Sequence, residues 1–255
     1  MKKFMLVVVI ILFYILSLPG APLIALYGDV DEASYLSGKF NPSTHSQFVN
    51  LDDLNIETDG RKHYLRRSTA VALKKMVVAF KKDNPNIRLY VTSSTRNFNY
   101  QKAIWDAKFN GSRKVDGKAL NKTEPNHLKR ALTILQYSSM PGTSRHHWGT
   151  DLDFNSLVNS YYENGEGLII YNWLKKNAPD FGFYQPYTAG RKQGYNEEKW
   201  HWSYLPESSI YLRRWMKIFG NDTSFFSKEG SFGGSEYADR LAPIYVMGIN
   251  PECVR

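Results

Sequence analysis

Between Ser144 and Asp153 the chain reads Ser-Arg-His-His-Trp-Gly-Thr-Asp-Leu-Asp, and further along it reads Glu198-Lys199-Trp200-His201. Two imidazoles, a carboxylate and a spare glutamate suit a hydrolytic zinc site, which takes three ligands from His, Asp or Glu and leaves a fourth position to water. His146, Asp153 and His201 can fill the three places, with an acid outside the shell free to move protons. Gly149 lies between His146 and Asp153 and lets the chain bend tightly, so that a loop histidine and a strand aspartate can reach one ion. His147 points elsewhere if the segment is extended and reads as structural. His45, His63 and His127 have no acidic or histidine neighbour at ligand spacing and read as ordinary. Glu198 and His201 fall on opposite faces of an ideal strand, so a bulge or a strand end must bring both to the metal. On the residues alone, Glu197 competes with Glu198 for the proton-transfer role.

Positioning these groups calls for short strands braced by helices. Residues 68–84 carry a helical pattern, with Ser68 as cap, Val71, Leu73, Met76, Val77 and Phe80 as the apolar face and Lys81-Lys82 at the C-terminal end. Pro85 stops it. Ile87 to Thr92 alternates and is rich in β-branched residues, which predicts a strand. Helices are expected over 99–110 and over 125–137, the second with Leu128, Ala131, Leu132 and Leu135 inward. A buried strand over 150–154 carries Asp153, a helix covers 167–178, a strand 199–204, and a last helix 206–219 opens on Pro206. Without a regular βαβ alternation the expected class is α+β. The domain should span 41–219, with a small, mostly antiparallel sheet flanked by helices and the zinc site at the sheet. Residues 26–40 read as a polar tether, and 220–255, rich in Gly and Ser, as a loosely packed extension.

With 255 residues, 42% of them hydrophobic, burying a core is no difficulty. A net charge of +9 allows nucleic acid, anionic lipid or an anionic wall polymer as partner. The basic residues are scattered, as in Lys74-Lys75 and Arg213-Arg214, and no nucleic-acid-binding signature is present, so nucleic acid is not expected. Cys253 stands alone, which excludes an internal disulfide and a cysteine metal site. Lys2-Lys3, the apolar run Phe4 to Leu18 and Pro19-Gly20 have the outline of a secretory signal peptide. The run is short for a membrane span of about twenty residues, and the residues around Ala21 and Ala25 make a poor cleavage site. Residues 1–25 are thus a signal peptide or an uncleaved N-terminal anchor. The remainder is expected at the cell envelope as a monomer, secreted or held by that anchor.

Ser144-x-His146-x-x-Gly149 to Asp153, with Glu198-x-Trp200-His201-Trp202, resembles the VanY-type D-alanyl-D-alanine carboxypeptidases. These sit in a wider group of zinc peptidases with the lysostaphin-like enzymes and the hedgehog signalling domain. Upstream, Thr92-Ser-Ser-Thr-Arg96-Asn-Phe-Asn-Tyr-Gln101 is similar to the family's Ser-Gly-Tyr-Arg-Ser-x-x-x-Gln segment, and the likeness runs from about Phe40 to Trp215. The resemblance implies one zinc ion on His146, Asp153 and His201, and Glu198 as the general base. It also implies that Arg96, Gln101 and Ser144 hold a peptide's terminal carboxylate or polarise its carbonyl. A guanidinium is a planar, permanently charged fork matched to a carboxylate. Two departures stand out. Asp151 replaces the family's usual alanine and shares a strand face with Asp153, so it should meet a cationic substrate group, such as the amine of a Lys or diaminopimelate side chain, or else orient a ligand histidine. Ser94-Thr95 replaces the usual Gly-Tyr before Arg96.

The function so implied is a zinc carboxypeptidase that removes a terminal D-alanine from peptidoglycan stem peptides, by D,D or L,D cleavage. One alternative is a cell-wall endopeptidase of the same fold. Another is a non-catalytic wall-binding module that keeps zinc for structure, and the unligated Glu198 argues against it.

Overall fold

The computed structural model describes residues 26–222, 224 and 232–254. Two antiparallel sheets organise it. The smaller pairs β1 (Phe48–Asn50) with β2 (Tyr64–Arg66). The larger contains β3 (Val91–Ser93), β4 (Asp151–Phe154), β5 (Phe183–Tyr184) and β6 (His201–Tyr204), in the order β3-β4-β6-β5. The class is α+β, as the sequence predicts.

Strand β4 shows why this sheet can carry a site. Its four residues, Asp-Leu-Asp-Phe, are all buried. Successive side chains of a strand point to opposite faces. Leu152 and Phe154 join Trp202 of β6 in an apolar core completed by Leu73, Met76 and Phe80 of helix α2 (Arg67–Asp83) and by Ile170 and Leu174. Asp151 and Asp153 therefore share the other face, where the register sets Asp153 opposite His201 and Asp151 opposite Ser203. A second core, rich in Trp105, Ile134, Trp148, Tyr211 and Trp215, braces the loops around that polar face.

Several expected details shift. Helix α2 buries Leu73, Met76 and Phe80 but leaves Val71 exposed, and Ser68 does not cap it; its hydroxyl donates to Glu207 at 2.5 Å. The strand expected from Ile87 begins only at Val91, because its partner β4 is four residues long. In the helix expected over 125–137, found at His127–Leu135, Ile134 is buried while Leu132 is exposed.

Both ends need correction. The supposed tether 26–40 contains helix α1 (Glu32–Leu36), capped by the Asp31 side chain, with Tyr35 and Leu36 fully buried. Five residues are too few for a period to show, and aromatic burial decides the matter. The Tyr35 hydroxyl donates to the Trp148 carbonyl at 2.8 Å, which ties this segment to the motif loop. The tail is not loose either. Ala238, Ala242 and Val246 of the helix Ala238–Met247 enter the second core, and Cys253 is buried there. Among the described residues no helix is long and apolar enough to cross a membrane; the leader expected over 1–25 lies outside them.

Candidate metal centre and groove

A four-residue 3-10 turn, Arg145–Trp148, delivers His146 and ends on Gly149 at φ 76°. That left-handed conformation favours glycine, and a Cβ there would lie 2.4 Å from the Phe48 ring. The chain then enters β4. Glu198 and His201 reach the same place because β6 starts only at His201 and the residues before it form a turn, closed by His201 N–H to the Glu198 carbonyl at 3.4 Å. The strand end supplies the geometry that an ideal strand would forbid.

Nε2 of His146 lies 3.2 Å from Nδ1 of His201 and 3.4 Å from Oδ2 of Asp153. Nδ1 of His201 lies 3.0 Å from Oδ1 of Asp153. A tetrahedral ion with ligands at about 2.0–2.1 Å has ligand-to-ligand edges of about 3.3 Å, so the two ring nitrogens stand at the spacing of two of its corners, with the Asp153 carboxylate, one oxygen toward each ring, at the third. Their remaining polar atoms agree. Nδ1 of His146 donates to the Ser94 carbonyl at 2.8 Å, and Nε2 of His201 donates to Asp151 Oδ2 at 3.0 Å. With those protons so placed, two nitrogen lone pairs and a carboxylate converge, an arrangement that a cation relieves. The residues fit a divalent metal.

Without a cation the same cluster must hold protons. Burial and the Arg96 charge bring the His146 imidazole down to about 4. Burial would lower His201 too, but its bonds to Asp151 and Asp153 outweigh this and push it up to about 9. Burial raises Glu198 to about 7, against the pull of His201. The Glu198 carboxylate sits beside the cluster, Oε2 3.6 Å from Nδ1 of His201. Glu197 is not part of the cluster.

Behind His201, Asp151 is fully buried. It accepts from Arg145 Nε at 2.8 Å, Thr150 Oγ1 at 2.7 Å and Ser203 Oγ at 2.9 Å. Both carboxylate oxygens are engaged within the protein, which leaves Asp151 no free oxygen for the substrate amine it was expected to meet; its Oδ2 faces the His201 ring instead. Arg145 stacks over Trp148 at 4.9 Å and reaches Ser203 with Nη2 at 2.6 Å. Sequence reasoning gave Arg145 no part, although it stands inside the motif and is the natural counter-charge to the unusual Asp151.

In front, Arg96 and Gln101 line a small hollow with Tyr187, Tyr195, Glu198 and both histidines. Nε of Arg96 and Oε1 of Gln101 are buried without hydrogen-bond partners, while Gln101 Nε2 donates to the Ser139 carbonyl at 2.8 Å. Ser144 is buried below, its hydroxyl also without a partner, and lines neither this hollow nor the wider cavity of about 670 Å³ that opens from it past Asp153 and Glu198. His147 is structural, as expected: Nδ1 donates to the Arg96 carbonyl at 2.6 Å and Nε2 accepts from Gly142 N–H at 3.1 Å.

The sequence profile described as VanY, D-alanyl-D-alanine carboxypeptidase, matches residues 62–207, more than half of the chain. The chain belongs to the VanY family. It is 28% identical over 181 residues to YodJ of Bacillus subtilis (strain 168), a protein provisionally named a carboxypeptidase; the match covers 69% of this chain and 58% of that protein's length. Among solved structures it is similar to the LdcB LD-carboxypeptidase, at 23% identity and TM-score 0.50, covering 69% of this chain and 75% of that one. A looser overlap, TM-score 0.45 at 23% identity over 61% and 83% of the two chains, joins it to a VanY D,D-pentapeptidase of a VanB-type resistance cassette, solved as a point mutant in complex with Zn(II).

Within the VanY family the departure at Ser94-Thr95 now has a physical account. Ser94 Oγ accepts from Tyr64 N–H at 3.2 Å and lies 3.1 Å from His63 Nδ1, whose Nε2 is 2.9 Å from Asp59. Thr95 Oγ1 donates to the Tyr64 carbonyl at 2.6 Å. These bonds fix the turn whose Ser94 carbonyl holds His146. His63, read as ordinary and without an acidic neighbour, has Asp59 four residues back and braces the centre through Ser94, a partner too distant in sequence to signal it.

Proposed function

We propose that this VanY-family chain is a metal-dependent carboxypeptidase that removes a terminal D-alanine from peptidoglycan stem peptides at the cell envelope. The observation that carries the reading is the convergence of His146, Asp153 and His201 beside an uncoordinated Glu198, at the mouth of a cavity. Zinc, favoured by the nitrogen and oxygen donors, would supply Lewis acidity and water made acidic enough to ionise near neutral pH.

The chain's own residues do the rest. Glu198 accepts a proton from the attacking water and hands it to the leaving amine, as a carboxylate raised toward neutrality can. The Arg96 guanidinium meets the peptide's terminal carboxylate or the carbonyl under attack, with Gln101 beside it. Ser144 would need a small shift to join them. Asp151 holds the His201 ring and its tautomer. Tyr187, its ring 4.7 Å from that of His201, closes the hollow against solvent.

Mass analysis of products from a soluble pentapeptide and from intact sacculi tests the reading. Free D-alanine from the pentapeptide is expected, and Arg96→Ala should abolish its release. Cleaved crosslinks without free alanine, unaffected by Arg96→Ala, would establish an endopeptidase instead.

A further inference from the structure

One strongly placed cation in the groove has no task in the reaction above. Lys108 lies on helix α3 (Phe98–Phe109) and is 9% exposed, its ammonium donating to Ser138 Oγ at 2.5 Å. Among the described residues no ion pair joins it to a carboxylate. Burying an ammonium without a counter-ion is unfavourable, and burial, with the Arg113 and Arg96 charges adding to it, lowers its pKa to about 8. Helix capping does not explain it. The carbonyls of Asp106, Ala107, Lys108 and Phe109 take donors from Asn110, Arg113, Gly111 and Arg130 instead.

The turn after the helix adds a second cation. Gly111, at φ +80°, reverses the chain, and the Arg113 N–H folds back on the Ala107 carbonyl at 2.7 Å. Arg113 and Lys108 both line the wall of the cavity that holds Asp153 and Glu198. Of the acids in that cavity, Glu198 and Asp116 partly offset the lowering of the Lys108 pKa without pairing with it, Asp116 accepting from the Tyr137 hydroxyl at 3.0 Å, and Glu197 exerts its field on Tyr171 and Arg191.

Resting on the carboxypeptidase reading, we propose that Lys108 and Arg113 form a subsite for a second carboxylate carried by the peptide upstream of the cleaved bond. Helix geometry sets its place. Lys108 is seven residues from Gln101 on the same face, about 10 Å along the axis at about 1.5 Å per residue. An extended peptide covers that in about three residues at about 3.3 Å each. The carboxylate therefore belongs two or three residues before the terminus or to a side chain there. The groove selects for a peptide with two negative groups, not for one with a free amine at Asp151.

Two carboxylates of a stem peptide lie in range: that of a diaminopimelate side chain and the free α-carboxylate of a γ-linked glutamate. Four synthetic pentapeptides distinguish them, pairing diaminopimelate or lysine with glutamate or its α-amide. The readout is the ratio of kcat/KM between acidic and neutral peptides within each protein, so overall losses of activity cancel. Wild type should favour one carboxylate by roughly tenfold to a hundredfold, the range of a charge-assisted hydrogen bond. Lys108→Met should bring that ratio near one, and Arg113→Gln, at an exposed position, should lower it by a smaller factor. Equal turnover of all four peptides by wild type, or a ratio that Arg113→Gln and a folded Lys108→Met leave unmoved, overturns the subsite. Should no peptide be cleaved, the reaction reading fails by itself; calorimetric binding of the same peptides then reads the preference without turnover, and equal affinities overturn the subsite as well.

Discussion

The two sides of the metal centre are built on opposite principles. Behind it, Asp151, Arg145, Thr150 and Ser203 form a buried, charged and nearly fully bonded network around His201. In front, Arg96 Nε and Gln101 Oε1 are buried without partners where they line the hollow. Unsatisfied buried polar atoms are unfavourable, and these two face a space where a substrate would supply what is missing. The rear fixes geometry, and the front keeps its bonding capacity for a ligand. The same contrast separates the two histidines, since His201 leans on a carboxylate and His146 on a neutral carbonyl.

Substitutions on each side should therefore fail in different ways. The largest effect belongs to the front: Glu198→Gln should lower kcat by about 10² to 10⁴ while metal content stays at wild-type level. Loss of metal in that variant would make Glu198 a ligand. At the rear, Asp151→Ala strands a buried Arg145, and breaking such a pair destabilises by about 3–5 kcal/mol. Arg145→Met added to it should recover part of that loss in denaturant melts, with a coupling of about 0.5–3 kcal/mol; strict additivity would show the pair is not a unit. The milder Asp151→Asn should weaken metal binding about tenfold to a hundredfold.

A pH titration sharpens the contrast between the histidines. In the metal-free protein His201 holds its proton up to about 9 and Glu198 up to about 7, whereas His146 is neutral above about 4. Metal on Nδ1 must expel the His201 proton, so affinity should rise with pH by nearly tenfold per unit between pH 7 and about 9, then level off. Calorimetry at pH 8 in buffers of different protonation enthalpy should count close to one proton released. Release of none would mean that Asp151 and Asp153 do not hold a charged imidazole. The smallest effect is expected from His63→Ala, which loosens the Ser94 turn and should weaken metal binding by about twofold to tenfold. In a Ser94→Gly background the same change should do nothing further.

What was legible in the sequence follows the same division. Residues with distinctive chemistry at short spacing, His146 to Asp153 and Glu198 to His201, could be read because their types alone narrow the choices. Long amphipathic helices could be read as well, and α2 and α3 fall within a residue or so of expectation. Strands of two or three residues such as Phe183–Tyr184 could not, since no period fits into them. Nor could α1 and the C-terminal helix, which are placed by burial against distant aromatics and not by local pattern. Asp151 was assigned to the right face, but the strand rule does not say that the His201 ring lies between it and the groove. Lys108 carries no signal in the sequence, and only the fold shows it buried.

Metal content measured alongside D-alanine release decides whether His146, Asp153 and His201 form a working metal centre. The purified protein should carry one zinc per chain, lose both metal and pentapeptide hydrolysis to a chelator, and regain both on adding zinc back, while His201→Ala binds none. Full hydrolysis by a metal-free protein, or a His201→Ala variant that still holds its zinc, would contradict the account.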